Sequence, residues 1–135
     1  MYETSEWAQI VRIPMLPFPF LWVNAYLVLV DKMVVLIDTG SGFGESNAHL
    51  EAGFNFASHS IERKIGIEDI THVLITHGHI DHFGGLSTIC DRSKALIGIH
   101  ELDLGVLTSY EERVASDEAH LKEYLFVTTS VLILV

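Results

Sequence analysis

The 135-residue chain is 49% hydrophobic and carries a formal net charge of −10. This composition is typical of a globular protein, since disordered chains combine low hydrophobicity with high net charge. The length suits one domain. The negative charge would repel nucleic-acid phosphates, and no cluster of Lys and Arg offsets it. The sequence therefore predicts no nucleic-acid partner.

The cysteine content and the N-terminus bear on the compartment. The single cysteine, Cys90, excludes an intrachain disulfide, and with it a disulfide-stapled secreted domain. The opening residues MYETSEWAQI lack the basic-then-apolar order of a signal peptide. No apolar run approaches the roughly 18 residues that span a bilayer. We expect a cytoplasmic protein without a membrane partner.

A short strand is predicted at residues 10–13, which are apolar apart from one arginine. The following segment, MLPFPFLW, is predicted to lack regular structure, because it lies among three prolines. A proline has no backbone N–H to give to a β-ladder. These prolines are Pro14, Pro17 and Pro19.

Two β-rich runs, NAYLVLV at residues 24–30 and MVVLI at residues 33–37, are separated by Asp31 and Lys32. Their short polar connection predicts a β-hairpin. The second run is almost continuously apolar, which predicts a strand buried on both faces. It ends at DTGSG, residues 38–42, which the glycine and serine content predicts to be a loop.

A helix is predicted within residues 45–65 because apolar residues recur there at helical spacing. Gly66 is the expected C-cap, while Gly53 weakens the case for one unbroken helix. The apolar residues that share a face of this helix are Leu50, Phe54, Ala57 and Ile61.

The second half of the chain also alternates between predicted strands and predicted helices. THVLIT at residues 71–76 and ALIGI at residues 95–99 predict strands, and LSTICDRS at residues 86–93 predicts a short helix. Residues 101–124 have the charge pattern of a helix. The apolar tail LFVTTSVLILV, residues 125–135, is either a strand without a partner or an out-of-place sequence. Alternating strands and helices indicate a layered α/β or α+β domain.

One short segment, THGHIDHFGG, carries most of the functional information. It places His77, His79, Asp81 and His82 within six residues, directly after an apolar strand and before Gly-Gly. Imidazole nitrogens and carboxylate oxygens are ligands of zinc and similar divalent ions. Four such ligands are too many for one catalytic ion that also needs water and other protein ligands. The cluster therefore predicts two adjacent metal ions.

The residues HGHIDH match the HxHxDH signature of the metallo-β-lactamase superfamily. The upstream VLIDTGSG resembles the strand-Asp-Thr-Gly turn of the same family, and the similarity extends in element order over residues 24–100. The resemblance implies a four-layered αββα sandwich with the metals at one edge, between two β-sheets. It also implies a metal-dependent hydrolase.

By this resemblance, His77 and His79 would bind the first metal, and Asp81 and His82 the second. Asp81 would also act catalytically by orienting the attacking water. Asp38 would support the loop by bonding to its backbone or to a ligand histidine, although a turn-forming aspartate explains the same residue. Zn²⁺ is the first expectation for both ions, with iron or manganese as alternatives.

The substrate class stays open. The fold hosts lactamases, thioesterases, lactonases, sulfatases and nucleases, so fold does not fix function. We expect a small-molecule substrate of the ester, lactone, thioester, phosphodiester or β-lactam class. A nuclease that engages its substrate through the metals is not excluded, because the ions supply positive charge.

The remaining histidines are not expected to bind metal. His100 ends a strand beside two acidic residues, but the family often has such a residue without using it as a ligand. The other histidines are predicted to be surface residues. They are His49, His59, His72 and His120.

The resemblance also implies later ligands that complete the site, and the sequence after His82 does not supply them. The histidines in that part of the sequence are His100 and His120, and neither belongs to a Gly-His loop. We therefore predict that residues 1–135 form a single, incomplete domain, the N-terminal half of the sandwich. A homo-oligomer or a complementing chain would restore the site. The alternative is a non-catalytic metal-binding or interaction remnant, whose exposed sheet edges would make it associate.

Overall fold

A computed structural model describes residues 2–5 and 7–107 of the chain. Six strands form one sheet in sequence order, with antiparallel pairing from β1 to β4 and parallel pairing from β4 to β6. The strands are β1 (Tyr2–Ser5), β2 (Ala8–Phe18), β3 (Leu21–Val30), β4 (Met33–Ile37), β5 (His72–Ile75) and β6 (Leu96–Ile99). The predicted tail 125–135, His120 and most of the predicted helix 101–124 lie outside the described residues.

The helices connect and flank the parallel strands. They are α1 (Ser46–Ser60), α2 (Ile80–Phe83) and α3 (Leu86–Cys90), with a 3₁₀ turn at Ile67–Asp69. Residues 104–107 are also helical. The mixed α/β class, the β3–β4 hairpin, β5, α3 and β6 confirm the predictions made from the apolar runs. No helix in residues 2–5 and 7–107 combines the length and apolar character needed to cross a membrane.

One side of the sheet forms the hydrophobic core. Alternate strand residues on this side are fully buried beneath the helices, because their side chains point to the same face. Helix α1 approaches so closely that a Cβ atom on Gly53 would lie 2.5 Å from Cγ2 of Ile13. The central buried strand residues are Val11, Ile13, Leu27, Leu36, Val73 and Ile97.

The other side of the sheet, which we call the open face, carries Val28, Val35, Ile37 and Leu74 at its centre. These four side chains are only half-buried. The strand at residues 33–37 was predicted to be buried on both faces. This prediction is confirmed for the core side and wrong for the open face. Among the described elements, α1 and α3 pack on the core side and leave the open face without a helical layer.

The prediction that the prolines exclude regular structure was wrong, because β2 runs through Pro14 and Pro17. Strand β1 pairs with β2 only as far as Ile10, so the next part of β2 has β3 as its one described neighbour. On such an edge a proline breaks no ladder hydrogen bond. Only the turn at 19–20 interrupts the two strands, and Phe20 there has φ 65°.

The predicted helix cap at Gly66 was also wrong. Helix α1 ends at Ser60, and the N–H of its C-cap residue Ile61 donates to Ala57 O at 3.0 Å. The hydroxyl of Ser58 then donates to Ile65 O at 2.9 Å, which folds the chain back against the helix end. Gly66 is extended and precedes the 3₁₀ turn.

The thiol of Cys90 is buried at the end of α3, and this burial raises its pKa to about 11, with a further contribution from the neighbouring Asp91. The folded protein therefore retains a proton that an unfolded cysteine, with a pKa of about 8.5, releases. We expect iodoacetamide to label native Cys90 far more slowly than the urea-unfolded chain at pH 8.5, as measured by mass spectrometry.

The same shift predicts the sign of a pH effect. The stability contributed by the Cys90 thiol is complete below about pH 8.5 and is lost as the pH rises towards the folded pKa of about 11. The free-energy advantage of wild type over Cys90→Ala in guanidinium unfolding should therefore shrink between these pH values. Equal labelling of native and unfolded protein would contradict this account.

Candidate metal centre

The predicted site residues meet where the parallel strands β4 and β5 end. Asp38 directly follows β4, and Thr76 directly follows β5, so both leave the sheet at the same edge. Two backbone bonds join the chain segments: Asp38 N–H donates to Leu74 O at 2.9 Å, and Thr39 N–H donates to His82 O at 2.7 Å. The segment 76–82 is therefore attached to the DTGSG loop.

Close backbone packing also joins the DTGSG loop to the two glycines after His82. Gly85 N–H donates to Gly40 O at 3.0 Å. Gly42 has φ 74°, and a Cβ atom on it would lie 2.5 Å from Gly84 O. A Cβ atom on Gly84 would in turn overlap Ser41 O. These glycines let the two loops touch without intervening side chains.

Asp38 is buried, with 4% of its surface exposed, and its carboxylate joins three groups of the following segment. Its Oδ1 accepts from Thr76 N–H at 2.8 Å, and the Thr76 hydroxyl lies 2.9 and 3.0 Å from its two oxygens. His82 Nδ1 lies 2.7 Å from Asp38 Oδ2. A carboxylate only accepts hydrogen bonds, so His82 carries its proton on Nδ1, and in the neutral ring Nε2 keeps a lone pair.

Thr76 connects Asp38 to His77 and fixes the position of the ring proton of His77 as well. Its one hydroxyl proton is directed to Asp38, so its oxygen accepts from His77 Nδ1 at 3.0 Å. His77 therefore also has its proton on Nδ1 and a lone pair on Nε2. One buried carboxylate, directly and through one threonine, sets the tautomers of two histidines.

The four predicted ligands come together as two pairs of donor atoms. His77 Nε2 and His79 Nδ1 face each other at 3.1 Å, with ring centroids 4.6 Å apart. His82 Nε2 and Asp81 Oδ2 are 3.5 Å apart. The two pairs adjoin, because the His77 and His82 rings have centroids 4.1 Å apart.

The described residues do not complete either pair. No group of three or more His, Cys, Asp or Glu side chains within residues 2–5 and 7–107 is arranged to hold a metal ion. His100 lies at the exposed end of β6, where its Nδ1 accepts from Leu102 N–H at 3.2 Å. That bond is local to the turn after β6.

Some residues near the site were not predicted. Thr76 is one, although its place directly before His77 was a usable signal. Asp103 also lies close, because a Cβ atom on Gly78 would be 3.2 Å from its Oδ1.

The prediction that His49 and His72 are surface residues was wrong, because both are half-buried. His49 Nδ1 accepts from Leu16 N–H at 3.2 Å, and its ring centroid lies 5.7 Å from that of Trp22, so α1 contacts both β2 and β3.

Comparison with known proteins agrees with this fold. The described sheet, with a histidine-rich loop at the ends of its parallel strands, has the metallo-hydrolase-like fold of its structural neighbours. The chain belongs to the metallo-beta-lactamase superfamily, whose family model matches residues 19–131. The resemblance inferred from HGHIDH and VLIDTGSG is confirmed.

Individual relatives are similar over part of their length. The chain is 31% identical over 91 residues to the anti-Pycsar protein Apyc1 of Bacillus phage BSP38, covering 57% of this chain and 36% of that protein. The structure of a metallo-beta-lactamase family protein from Thermus thermophilus, TTHA1429, matches with a TM-score of 0.66 and 25% identity, over 86% of this chain and 37% of that one.

A second solved structure with a similar fold is MEM-A1, a subclass B3 metallo-beta-lactamase isolated from a soil metagenome library. It matches with a TM-score of 0.55 and 22% identity, over 76% of this chain and 34% of its own. The chain therefore spans little more than a third of the length of these relatives. The described strands and helices correspond to the N-terminal portion of the metallo-beta-lactamase fold.

Proposed function

We propose that this chain supplies one half of the dinuclear site of a metal-dependent hydrolase. His77 and His79 would hold one ion, and Asp81 and His82 would hold the other. The observation that carries the proposal is the grouping of these side chains into two adjoining donor pairs, with separations of 3.1 and 3.5 Å.

The donor pairs suit divalent ions. Zinc binds nitrogen at about 2.0–2.1 Å in tetrahedral geometry, which places two neighbouring donor atoms roughly 3.4 Å apart. The separations of 3.1 and 3.5 Å lie on either side of that value. Mixed histidine and carboxylate donors favour zinc, with iron and manganese as alternatives. Each ion needs further ligands, because the described residues offer two apiece.

The protein residues have distinct roles in this proposal. Divalent ions at such a site provide Lewis acidity and activate water for hydrolysis. Asp38 keeps the Nε2 lone pair of His82 free for a ligand bond, and Thr76 does the same for His77. Asp81 turns one oxygen towards His82 Nε2, and its second oxygen would accept a hydrogen bond from the attacking water.

The substrate would be a small molecule with an apolar part. The hairpin between β2 and β3 borders a cavity of about 450 Å³ lined by Leu16, Phe18, Phe20 and Trp22, among others. Ser41 of the DTGSG loop donates to Pro17 O at 2.9 Å, which attaches this hairpin to the loop that follows Asp38. An apolar cavity on the hairpin attached to this loop supports esters, lactones and thioesters as first substrates to assay.

A second candidate function is a non-catalytic metal-binding or interaction remnant. It is favoured by the incomplete donor pairs in the described residues. Turnover separates the two candidates. We would assay the zinc-loaded chain on a panel of esters, lactones, thioesters, phosphodiesters and β-lactams, and test anti-Pycsar activity because of the phage relative. Metal binding without turnover on the whole panel would favour the remnant.

Metal binding itself is tested with matched histidine variants. Wild type, His79→Ala and His59→Ala are stripped with EDTA, and zinc binding is measured by calorimetry and elemental analysis. We expect at least a tenfold loss of affinity in His79→Ala, because its pair keeps one donor. His59→Ala should bind like wild type, since His59 is exposed on α1 with its Nδ1 beside Asn55 O at 2.7 Å. Equal binding by all three proteins would refute the proposed ligands.

A further inference from the structure

We infer that Ser41 is a specificity-determining residue. Its hydroxyl joins the two walls of the apolar cavity at the β2–β3 hairpin, and it thereby sets the width available to the apolar chain of a ligand. The inference rests on the proposed function, which assigns this cavity to the apolar part of the substrate.

Strand β2 contains a bulge where it enters the hairpin. Residues 15–18 of β2 pair with residues 21–23 of β3, so β2 has one extra residue, at Leu16 or Pro17. A bulge leaves backbone groups of the longer strand outside the ladder and bends that strand. The position of the hairpin therefore depends on what bonds to those backbone groups.

Two side chains from other elements bond to the backbone of the bulge. Leu16 N–H donates to Nδ1 of His49 on α1 at 3.2 Å. Pro17 O accepts from the Ser41 hydroxyl at 2.9 Å. The partners are 33 and 24 positions apart in sequence, so these two bonds fix where the hairpin lies on the rest of the domain.

The same hydroxyl also bonds to the loop that forms the second wall of the cavity. Ser41 Oγ accepts from Phe43 N–H at 3.2 Å, and Ser41 N–H donates to Ser46 Oγ at 3.2 Å. The two residues before Ser46, Gly44 and Glu45, line the cavity together with the hairpin residues. One hydroxyl therefore bridges the hairpin wall and the loop wall.

Ser41 also connects the cavity to the candidate metal centre. It is 0% exposed, so both bonds of its hydroxyl are shielded from water. Its carbonyl lies against Gly84, where a Cβ atom would overlap it, and Gly84 follows His82 by two residues. Ser41→Ala would remove the bonds of the hydroxyl and leave this backbone contact in place.

The cavity suits the neutral, apolar chain of an ester or a lactone. Its volume of about 450 Å³ lies within the range of roughly 300–1,000 Å³ for small-ligand sites. Its one charged lining residue is Glu45, whose carboxylate disfavours an anionic ligand. Each methylene buried in such a cavity strengthens binding by roughly fourfold. We therefore expect a preference for longer neutral chains while the two walls keep their spacing.

Ester binding to the metal-free chain tests the inference. Trp22 lines the cavity, and Trp7→Phe removes the other tryptophan, so the fluorescence of Trp22 reports occupancy. In EDTA, we expect methyl hexanoate to bind at least about tenfold more tightly than methyl acetate. Ser41→Ala should reduce this preference to less than about threefold, because the walls separate and bury fewer methylenes.

Ser58→Ala is the matched control. The Ser58 hydroxyl makes the same two kinds of bond at the other end of α1, because it donates to Ile65 O at 2.9 Å and accepts from Ile65 N–H at 3.0 Å. This variant should keep the wild-type preference. His49→Ala releases the bulge from its other side and should reduce the preference even if Ser41→Ala does not fold. Circular dichroism melts show which variants are folded.

Three results would overturn the inference. They are a wild type that binds neither ester or both equally, a folded Ser41→Ala protein with the wild-type preference, and an equal loss of preference in Ser58→Ala. Because EDTA removes metal, hydrolysis does not enter the measurement. If the preference depends on Ser41 but the zinc-loaded chain hydrolyses no ester, the inference stands and the result counts against the proposed hydrolase alone.

Discussion

Asp38→Ala is expected to destabilise the protein by about 3 kcal/mol and to lower its melting temperature by roughly 10 °C. Asp38 is 4% exposed, so its carboxylate is bonded to protein groups and shielded from water. The substitution leaves Thr76 N–H and His82 Nδ1–H without their acceptor. Thr76 is exposed and His82 is partly exposed, so each lost bond is taken at about 1.5 kcal/mol, in the lower part of the 1–3 kcal/mol range for donors that lose their partner. Thermal unfolding measures this effect.

Asp38→Asn separates the structural role of this residue from its role towards metal. An asparagine can still accept from Thr76 N–H, so the loss of stability should be smaller than with alanine. Its amide N–H group would face His82 Nδ1 and favour the tautomer with the proton on Nε2. The ring would then present no lone pair to an ion. We expect zinc affinity to fall about 10- to 100-fold, as measured by calorimetry.

Asp31→Asn is the matched control for this experiment. It makes the same chemical change on the exposed β3–β4 turn, where Asp31 has φ 49°, a conformation that asparagine tolerates. Its zinc affinity should equal that of wild type. A purely structural role for Asp38 would instead give an Asp38→Asn protein whose zinc affinity is unchanged while its melting temperature falls.

Those parts of the fold that depend on local pattern could be predicted from the sequence. The β3–β4 hairpin follows from two apolar runs and a short polar connection, and β5 and β6 follow from apolar runs of strand length. The path of β2 through Pro14 could not be predicted. It depends on β1 ending its pairing at Ile10, which is a property of the whole sheet. The early end of α1 depends likewise on the contacts of Ser58 with Ile65.

The candidate site shows the same division. His77, His79, Asp81 and His82 could be proposed as ligands from their spacing, because they lie within six residues. A bond from Asp38 to the loop backbone or to a ligand histidine was expected, but the sequence did not specify Thr76 N–H or His82, and His82 lies 44 positions away. The relay through Thr76 also needed the structure, because it depends on β4 and β5 being parallel neighbours. The half-buried residues of β4 on the open face were not predicted, because a run of apolar residues does not show whether another layer packs on each side of a strand.

Gly84→Ala tests whether contact between the two loops aligns the candidate site. The backbone of Gly84 is ordinary, with φ −62° and ψ −21°, so an alanine is not strained there. Its Cβ atom would, however, overlap Ser41 O and lie 2.7 Å from Ile80 O. Both obstacles are backbone atoms, which cannot turn away as a side chain can. We expect a loss of about 3 kcal/mol, at the upper end of typical overpacking costs.

The same substitution should weaken zinc binding. The clash pushes the DTGSG loop away from the segment that contains His82, and this lengthens the bond between Asp38 and His82 that fixes the ring. Gly105→Ala is the matched control, because a Cβ atom there meets nothing within 4 Å and the residue is helical. It should melt at or above the wild-type temperature. If Gly84→Ala has the melting temperature and the zinc affinity of wild type, contact between the two loops does not align the candidate site.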